Sequence, residues 1–376
     1  MQQGRTGRLN PAVARARRAV QRTVDAALGP DLGNGTAPPL VLVGCSGGAD
    51  SLALAAATAH LLRRGRLRVG AVVVDHQLQE GSAEVASRTA ATLRGMGLDP
   101  VHVERVHVTR TGTGPEMAAR LARYEAFRAV AERTGAAAVL LGHTRDDQSE
   151  TVLLGLTRGS GTRSLSGMPE SLVKDGVRYL RPLLNITRAE TETVCAAEGL
   201  QPWHDPSNAD TALTRSRIRH EVLPFLESQL GPGVARALAR TASVLGADAD
   251  YLEEQAAAAY DDAAVPTRSQ DPRAASSVML DGAGLKQMPA ALRRRVLARA
   301  CVDAGGETPT FERLGALEDF ALGYGAAGPV QMAGKVAAWR HRSDADHARG
   351  CLELRGEPTP AAQQTSSTQN NPGSAQ

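Results

Sequence analysis

Short apolar runs alternate with helix-forming segments from residue 39 onward. The apolar runs are rich in valine and leucine and predict buried strands at residues 40–45, 67–75, 100–108 and 136–143. The segments between them have apolar residues at helical spacing and predict helices at 51–65, 81–97 and about 115–134. Strands that are apolar on both faces need a parallel sheet covered by helices on both sides. The pattern therefore predicts an α/β fold with a doubly wound parallel sheet.

The strand signal fades in the second half of the chain, where helical spacing prevails. We expect a smaller, mainly helical second domain there, with a small strand pair around residues 330–354. The last residues have nothing apolar to bury and are predicted to be disordered. The predicted organisation is a basic N-terminal helix and linker at 1–36, the α/β domain at 37–228, the helical domain at 229–355 and the disordered tail at 356–376.

Composition changes this picture mainly through the positive charge, which is nearly all arginine. The formal net charge is +3, and among 43 basic residues only Lys174, Lys286 and Lys335 are lysine. A planar guanidinium grips phosphate through its fork of donors, so the bias favours phosphate binding. A compositional bias of the genome would leave the same excess of arginine.

The cysteines and the apolar stretches indicate the cellular compartment of the protein. Cys45, Cys195, Cys301 and Cys351 stand far apart without a C-x-x-C pair. This argues against a zinc site, an iron–sulfur site or a redox dithiol, and it suits a reduced protein. The longest uncharged apolar stretches fall short of the roughly 18 residues that a membrane span needs. We therefore expect a cytoplasmic protein with no membrane association and no obligate protein partner.

A loop rich in glycine and serine, C-S-G-G-A-D-S, directly follows the first predicted strand. In an open parallel sheet, ligands bind beyond the carboxyl ends of the strands, where this loop lies. Gly47 and Gly48 let backbone N–H groups approach an anion, and Ser46 and Ser51 add hydroxyl groups. The helix that begins near Ser51 directs its unpaired N–H groups to the same point. The loop is therefore predicted to hold phosphate.

Asp50 indicates which phosphate ligand this loop holds. The chain has neither the G-x-x-x-x-G-K-[ST] of a P-loop nor G-x-G-x-x-G. A carboxylate beside phosphates is repelled unless a cation bridges them, so Asp50 suggests Mg²⁺ on a triphosphate. The alternative is a plain Ser/Gly turn in which Asp50 caps the helix.

The residues S-G-G-A-D-S resemble the pyrophosphate loop of the ATP pyrophosphatases, the PP-loop family, which cleave ATP between its α and β phosphates. Further stretches follow along the chain: V-V-V-D-H-Q-L-Q-E-G-S, G-H-T-R-D-D-Q-S-E-T, R-P-L-L-N-I-T-R-A-E, W-H-D-P-S-N-A-D and T-R-S-R-I-R-H-E-V. In this order and spacing they resemble the tRNA(Ile)-lysidine synthase family over roughly residues 40–260.

The resemblance implies a Rossmann-like PP-loop domain and a two-step ligation. ATP with Mg²⁺ adenylates the wobble cytidine of the isoleucine tRNA that has a CAU anticodon, and pyrophosphate leaves. The ε-amine of free L-lysine then displaces AMP and forms lysidine. ATP binding is expected from Arg120 and from the loop residues, with Asp50 also catalytic and next to the Mg²⁺: Ser46, Gly47, Gly48, Ala49, Asp50 and Ser51.

The stretch G-H-T-R-D-D-Q-S-E-T carries the residues expected to bind lysine. His143, Asp147 and Glu150 lie at spacings of four and three, so they can share one helix face. Two carboxylates suit a cationic amino acid and can accept a proton as the ε-amine becomes a nucleophile. The family implies lysine-binding and catalytic roles for these three residues, while Asp146 is expected to be the helix N-cap. Helix capping with a solvated face is the alternative.

Arg120 lies at helical spacing from Glu116 and Tyr124 on the third predicted helix. Its guanidinium can neutralise α-phosphate charge as pyrophosphate leaves. An ordinary ion pair between Arg120 and Glu116 is the alternative.

The stretch T-R-S-R-I-R is expected to contact tRNA phosphates through Arg215, Arg217 and Arg219, with plain surface charge as the alternative. The family leads us to expect asparagine where this chain has Ser216. Aromatic residues are scarce, so Trp203 is one of few side chains on which an RNA base can stack, unless it belongs to the core.

Other functions stay open beside this one. A tRNA thiolase needs a cysteine pair or cluster to deliver sulfur, and the cysteines here are isolated. An amide synthetase of the GMP or NAD type uses ammonia and has no need of a carboxylate pair that binds lysine. A non-catalytic RNA- or ATP-binding module would not require the intact loop.

Overall fold

The computed structural model describes residues 9–29, 37–62, 65–77, 81–106, 115–157, 161–265, 277–325, 328–342 and 350–356. The chain divides into two compact units, Met1–Ala247 and Asp248–Gln376. Residues 30–36 of the predicted linker and 357–376 of the predicted tail lie outside the described part of the chain.

The first unit combines a mostly parallel sheet with helices. Its strands are β1 (Leu40–Cys45), β2 (Arg68–Asp75), β3 (Val101–Arg105), β4 (Ala138–Leu141), β5 (Ser171–Lys174) and β6 (Val177–Leu180). Its helices are α1 (Pro11–Leu28), α2 (Ala49–Leu62), α3 (Ser82–Gly95), α4 (Pro115–Thr134), α5 (Arg145–Thr157), α6 (Thr162–Leu165), α7 (Arg188–Glu198), α8 (Thr214–Arg217) and α9 (Leu223–Leu230). A π-helical turn, Ile218–Val222, joins α8 to α9, and the long helix α10 (Val234–Ala263) follows.

The strand order of this sheet is β3-β2-β1-β4-β6-β5. All neighbouring strands are parallel except β5, which pairs antiparallel with β6 at the edge. The chain moves from β1 through β2 to β3 on one side and then resumes with β4 on the other side of β1. The strand order therefore reverses between β1 and β4, and in an open α/β sheet the crevice for a ligand lies beyond the carboxyl ends of the strands at such a point. The predicted doubly wound fold is confirmed, with an added antiparallel edge strand.

Burial explains why the central strands form where the apolar runs predict them. Every residue of β1 and of β4 is buried, so both faces of these strands are covered. The helix after β1 is almost as apolar, because alanine and leucine fill most of its buried positions. This rigid centre fixes the two loops that leave β1 and β4 side by side.

The basic N-terminal segment forms α1, which packs on the first unit through an apolar stripe. Val13, Ala16, Val20 and Val24 are buried against the core that includes α2 and α7. Arg15 and Arg17 form ion pairs with Glu190 and Glu198. Several of the N-terminal arginines are therefore committed to holding this helix in place.

The second unit contains more strand than the sequence predicted. Beside α11 (Gly282–Gln287), α12 (Ala290–Asp303) and α13 (Phe311–Leu322), it has the strands β7 (Ala264–Val265), β8 (Ser277–Asp281), β9 (Val330–Met332), β10 (Val336–His341) and β11 (Cys351–Gly356). These form an antiparallel sheet in the order β7-β8-β11-β10-β9. The expected strand pair corresponds to β10 and β11. The helices pack on this sheet around Leu285, Leu297 and Leu317, which are fully buried.

No helix in the described ranges is both long enough and apolar enough to cross a membrane. The four cysteines are all buried free thiols.

Candidate active site

The loop after β1 forms a tight turn that only glycine fits at its centre. Gly47 has a φ of 84°, and a Cβ there would lie 2.5 Å from Oγ1 of Thr89 on α3. Ser51 fixes the turn, because its hydroxyl donates to the Gly48 carbonyl at 2.9 Å and accepts from the Ser46 N–H at 3.2 Å. Ser51 is buried, whereas Ser46 is exposed although its hydroxyl lies 3.3 Å from that of Ser51 and accepts from the Gly48 N–H at 3.4 Å.

This loop leads directly into α2, which begins at Ala49. The first N–H groups of a helix have no partner within the helix, so they converge on the space above the loop. The segment after α7 supports the loop from another direction, because the Trp203 N–H donates to the Gly47 carbonyl at 2.9 Å. The Trp203 side chain is half-buried, which leaves part of its ring available.

Asp50 does not cap α2, so that alternative is wrong. It is the second residue of the helix, and its carboxylate accepts hydrogen bonds from the Thr191 hydroxyl and from Nε of Arg188 at 3.3 Å. Burial raises the pKa of Asp50, while the nearby Arg188 guanidinium acts in the opposite direction. Both partners come from α7, so Asp50 connects the phosphate loop to that helix.

Asp147 lies in the first turn of α5 and has partners on both oxygens. Oδ2 accepts from the N–H and the hydroxyl of Thr144 at 2.7 and 2.8 Å. Oδ1 accepts from Arg188 and from Arg219, each at 3.3 Å. Burial alone would raise its pKa, but Arg188 foremost, together with the two Thr144 hydrogen bonds, holds the pKa of Asp147 below its ordinary value. Asp147 is therefore a stable anion that also closes the start of its helix.

Glu150 lies one turn further along α5 and is fully buried. Its two oxygens accept hydrogen bonds from Arg219, Nε at 2.7 Å and Nη2 at 3.1 Å, and Arg215 lies 3.9 Å away. Burial raises the pKa of Glu150, with the Arg219 hydrogen bond opposing it. The two carboxylates on this helix face thus have pKa values displaced in opposite directions.

Asp146 is not the N-cap, contrary to the sequence-based expectation. Helix α5 starts at Arg145, so Thr144 occupies the capping position and hydrogen-bonds to Asp147 three residues later. The Asp146 carboxylate instead accepts the backbone N–H of Arg188 at 3.0 Å. It therefore ties the start of α5 to the start of α7.

His143 lies just after β4, at the mouth of the crevice. Burial, with further contributions from Arg181 and Arg120, lowers its pKa to about 3, so the imidazole is neutral at neutral pH. Within the described residues its buried Nδ1 has no hydrogen-bond partner. A neutral ring with an open nitrogen can accept or donate a hydrogen bond to a bound group.

Arg120 lies on α4 with its guanidinium 5.3 Å from the centre of the Tyr124 ring. The Tyr124 hydroxyl accepts from Nη2 of the buried Arg181 at 3.2 Å. Arg120 also contributes to the lowered pKa of His143. The Glu116 side chain lies outside the described residues, so its suggested pairing with Arg120 stays open.

The three arginines of T-R-S-R-I-R do not share one surface. Arg215 and Arg219 turn towards Glu150, and only Arg217 is exposed. Ser216 is buried, and its hydroxyl donates to the Asn208 carbonyl at 3.0 Å. The expected contact of these arginines with tRNA phosphates stays a prediction, and Arg215 and Arg219 are half-buried with Glu150 as a partner.

Sequence reasoning missed the part that α7 plays in this site. Thr187 and Glu190 form a reciprocal capping box at its start, which is a recognisable sequence signal. That signal places Arg188 in the first turn, but it does not reveal that the side chain reaches Asp50 and Asp147. Among the described residues, no group of three or more His, Cys, Asp or Glu side chains is arranged to hold a metal ion.

The sheet, the loop after β1 and the crevice define a PP-loop protein. A family model described as the PP-loop domain matches residues 17–226, which is more than half of the chain. A second model, described as the TilS substrate binding domain, matches residues 280–345.

The chain is also similar to proteins named tRNA(Ile)-lysidine synthase. The one from Thermobifida fusca is 49% identical over 88% of this chain and 96% of its own length. Those from Streptomyces coelicolor and Leifsonia xyli subsp. xyli are 49% and 47% identical, over 80% and 84% of this chain and 83% and 86% of theirs. The chain therefore belongs to the tRNA(Ile)-lysidine synthase family.

Proposed function

We propose that this chain is a ligase that joins free L-lysine to the wobble cytidine of the isoleucine tRNA with a CAU anticodon. ATP adenylates the cytidine and releases pyrophosphate, and the lysine ε-amine then displaces AMP to give lysidine. One observation carries the proposal beyond family membership. A phosphate loop and a buried carboxylate pair lie next to each other, joined by Arg188, which contacts Asp50 of one and Asp147 of the other.

The loop and the start of α2 are suited to the triphosphate of ATP. Backbone N–H groups at Gly47, Gly48 and Ala49 and the exposed Ser46 hydroxyl are the donors. The donor set also fits Mg²⁺ that arrives with ATP, because Mg²⁺ in such sites takes one or two carboxylates and completes its shell with phosphates and water. Asp50 would hold the ion, which would neutralise charge on the departing pyrophosphate. Arg120 is proposed to act on the α-phosphate.

The carboxylate pair is suited to lysine, and the opposite pKa shifts of Asp147 and Glu150 suggest different roles for the two carboxylates. Asp147, with its pKa lowered, stays charged and is the better anchor for an ammonium group. Glu150, with its pKa raised, is the better acceptor for the proton that the ε-amine must lose. His143 is neutral and can orient the amine through its open nitrogen.

The tRNA is proposed to lie over the exposed Arg217, while Arg215 and Arg219 support Glu150 from within. Trp203, half-buried beside the phosphate loop, is placed to contact a base that enters the crevice. We also propose the cytoplasm as the compartment, because four buried free thiols suit a reducing environment.

The test is incorporation of labelled lysine into a transcript of the CAU-anticodon isoleucine tRNA, with ATP and Mg²⁺. We expect label in this transcript, release of AMP and pyrophosphate in equal amounts, and no label in an elongator methionine tRNA. Asp50→Asn should abolish incorporation, and Arg128→Gln on the exposed face of α4 is the matched control. Release of pyrophosphate with some other acceptor but never with lysine would assign the chain to another PP-loop activity.

A further inference from the structure

Arg188 has a place in the site that the sequence motifs did not indicate. It is the first residue of α7, held there by the capping box of Thr187 and Glu190 and by its own N–H, which donates to Asp146. Its guanidinium spans two carboxylates, with Nε 3.3 Å from Oδ2 of Asp50 and Nη2 3.3 Å from Oδ1 of Asp147. The backbone of Arg188 is thus held in place, and its side chain bridges the phosphate loop at Asp50 and the carboxylate pair at Asp147.

Among the described residues, the carboxylates around this bridge are already paired with guanidinium groups. Three carboxylates contact three guanidinium groups within 4 Å, through Asp50, Asp147 and Glu150 on one side and Arg188, Arg215 and Arg219 on the other. A lysine ammonium that joins this cluster meets a carboxylate already paired with a guanidinium. A cation that binds there gains little binding free energy unless one of the guanidinium groups moves to another anion.

ATP supplies such an anion on one side of the bridge only. A triphosphate held by the loop lies next to Asp50, which is the second residue of α2, and its negative charge attracts the nearest guanidinium. Arg188 is the arginine that contacts Asp50, whereas Arg219 contacts Asp147 and Glu150. A turn of Arg188 towards phosphate frees one of the two acceptor positions on Oδ1 of Asp147 for the incoming ammonium, while Arg219 keeps the other.

We propose that Arg188 is a positioning residue that couples the ATP and lysine subsites, so that each substrate tightens the binding of the other. This inference rests on the proposed function and adds to it a required energetic link between the two substrates. The link is reciprocal, because a factor by which ATP raises lysine affinity is the same factor by which lysine raises ATP affinity.

The experiment is a calorimetric titration of the full chain with L-lysine, with and without saturating α,β-methylene ATP and Mg²⁺. This analogue cannot release pyrophosphate, so binding is measured without turnover. For the native chain we expect lysine to bind at least about fivefold more tightly in the presence of the analogue, the lower end of typical coupling factors. In Arg188→Gln the ratio of the two affinities should fall to about one.

Two further variants keep the result interpretable. Arg188→Lys retains the charge and should fold even if Arg188→Gln does not, but one ammonium cannot replace a bridging guanidinium, so the ratio should fall at least partway. Arg128→Gln, which loses only exposed pairs with Glu125 and Glu132, should keep the native ratio. Melting temperatures report whether each variant is folded.

The possible failures are distinguishable. If lysine binds the native chain equally well with and without the analogue, the coupling is overturned while the lysine site stands. If both Arg188 variants keep the native ratio, coupling exists but does not pass through Arg188, and the assignment is overturned. If lysine binds under neither condition and is not incorporated into tRNA, the proposed function fails and the coupling fails with it.

Discussion

The pKa values of Asp147 and Glu150 depend on neighbours that are distant in the sequence. Spacing alone put Asp147 and Glu150 on one helix face, and they do lie on one face of α5. Burial raises the pKa of Glu150, whereas Arg188 does most to lower that of Asp147, and the arginine partners Arg188 and Arg219 lie about 40 and 70 positions further along the chain. No local pattern reveals such partners, because tertiary packing brings them together. The capping role of Asp147 could have been predicted from the sequence, because Thr144 lies three residues before it.

His143 leads to a prediction on the pH dependence of stability. Its pKa is lowered to about 3 in the folded chain, mainly by burial, whereas an unfolded chain titrates near 6.5. Between these values the unfolded state binds a proton that the folded state does not, so the free energy of unfolding falls as the pH is lowered. His76 acts in the same direction, with its pKa lowered to about 4.

We expect His143→Gln to flatten this dependence. The variant removes the group that takes up a proton on unfolding, so the slope of unfolding free energy against pH between about 6.5 and 4 should decrease by up to one proton equivalent. Urea unfolding at a series of pH values measures the slope. His76→Gln should flatten the dependence over the same range, because the folded-state pKa of His76 is about 4. An unchanged slope in both variants would show that neither ring is held neutral by the fold.

At the scale of elements, the sequence predicted the central strands well and missed the edge of the sheet. Fully apolar runs such as 40–45 have one stable place, which is the middle of a covered sheet. The hairpin of β5 and β6 is short and largely exposed on β5, so its hydrophobic signal is weak. A turn signal was present, because Asp175 and Gly176 form a two-residue connection with φ values of 50° and 77°. Both positive values belong to a type I′ turn, for which Asp-Gly is a strong indicator.

This turn gives a prediction about Gly176. Alanine at a left-handed position costs about 1 kcal/mol, and no atom lies within 4 Å of the added Cβ, so the cost is conformational. Gly176→Ala should therefore lower the free energy of unfolding by about 1 kcal/mol in urea titrations. Gly95→Ala at the end of α3 is the matched control, since its Cβ also meets open space and it has no left-handed φ. Alanine there should be neutral or stabilising by about 0.5 kcal/mol. Equal effects of the two changes would contradict the turn type.

The second unit was harder to predict, because its strands are short and separated in sequence. The strand β8 has only five residues and pairs with β11, which lies about 70 positions later. The two-residue strand β7 has too little pattern to detect. Helical spacing in α12 and α13 is recognisable by contrast, so the prediction was weighted towards helix. Non-local pairing of short strands is the kind of structure that a single sequence reveals least.

At the scale of the whole molecule, net charge says little about how an RNA is bound. The chain carries only +3 despite its many arginines, because 40 acidic residues nearly match its 43 basic ones. In the first unit, α1 arginines pair with α7, and Arg215 and Arg219 pair with Glu150. Affinity for tRNA must then come from those arginines that remain exposed in the right place rather than from a general positive field.

Arg217 is the exposed arginine that this argument selects, and salt dependence tests it. Each phosphate contact releases counterions, so the slope of log affinity against log salt measures the number of contacts. Arg217→Gln should reduce that slope by about 0.7 to 0.9, the value for one lost contact. The loss of affinity should be equal for the isoleucine tRNA and the elongator methionine tRNA, since a phosphate contact carries no sequence information. Arg128→Gln, which removes a half-buried arginine of α4 that is paired with Glu125 and Glu132, should leave the slope unchanged. If Arg217→Gln also leaves it unchanged, the tRNA does not pass over this part of the first unit.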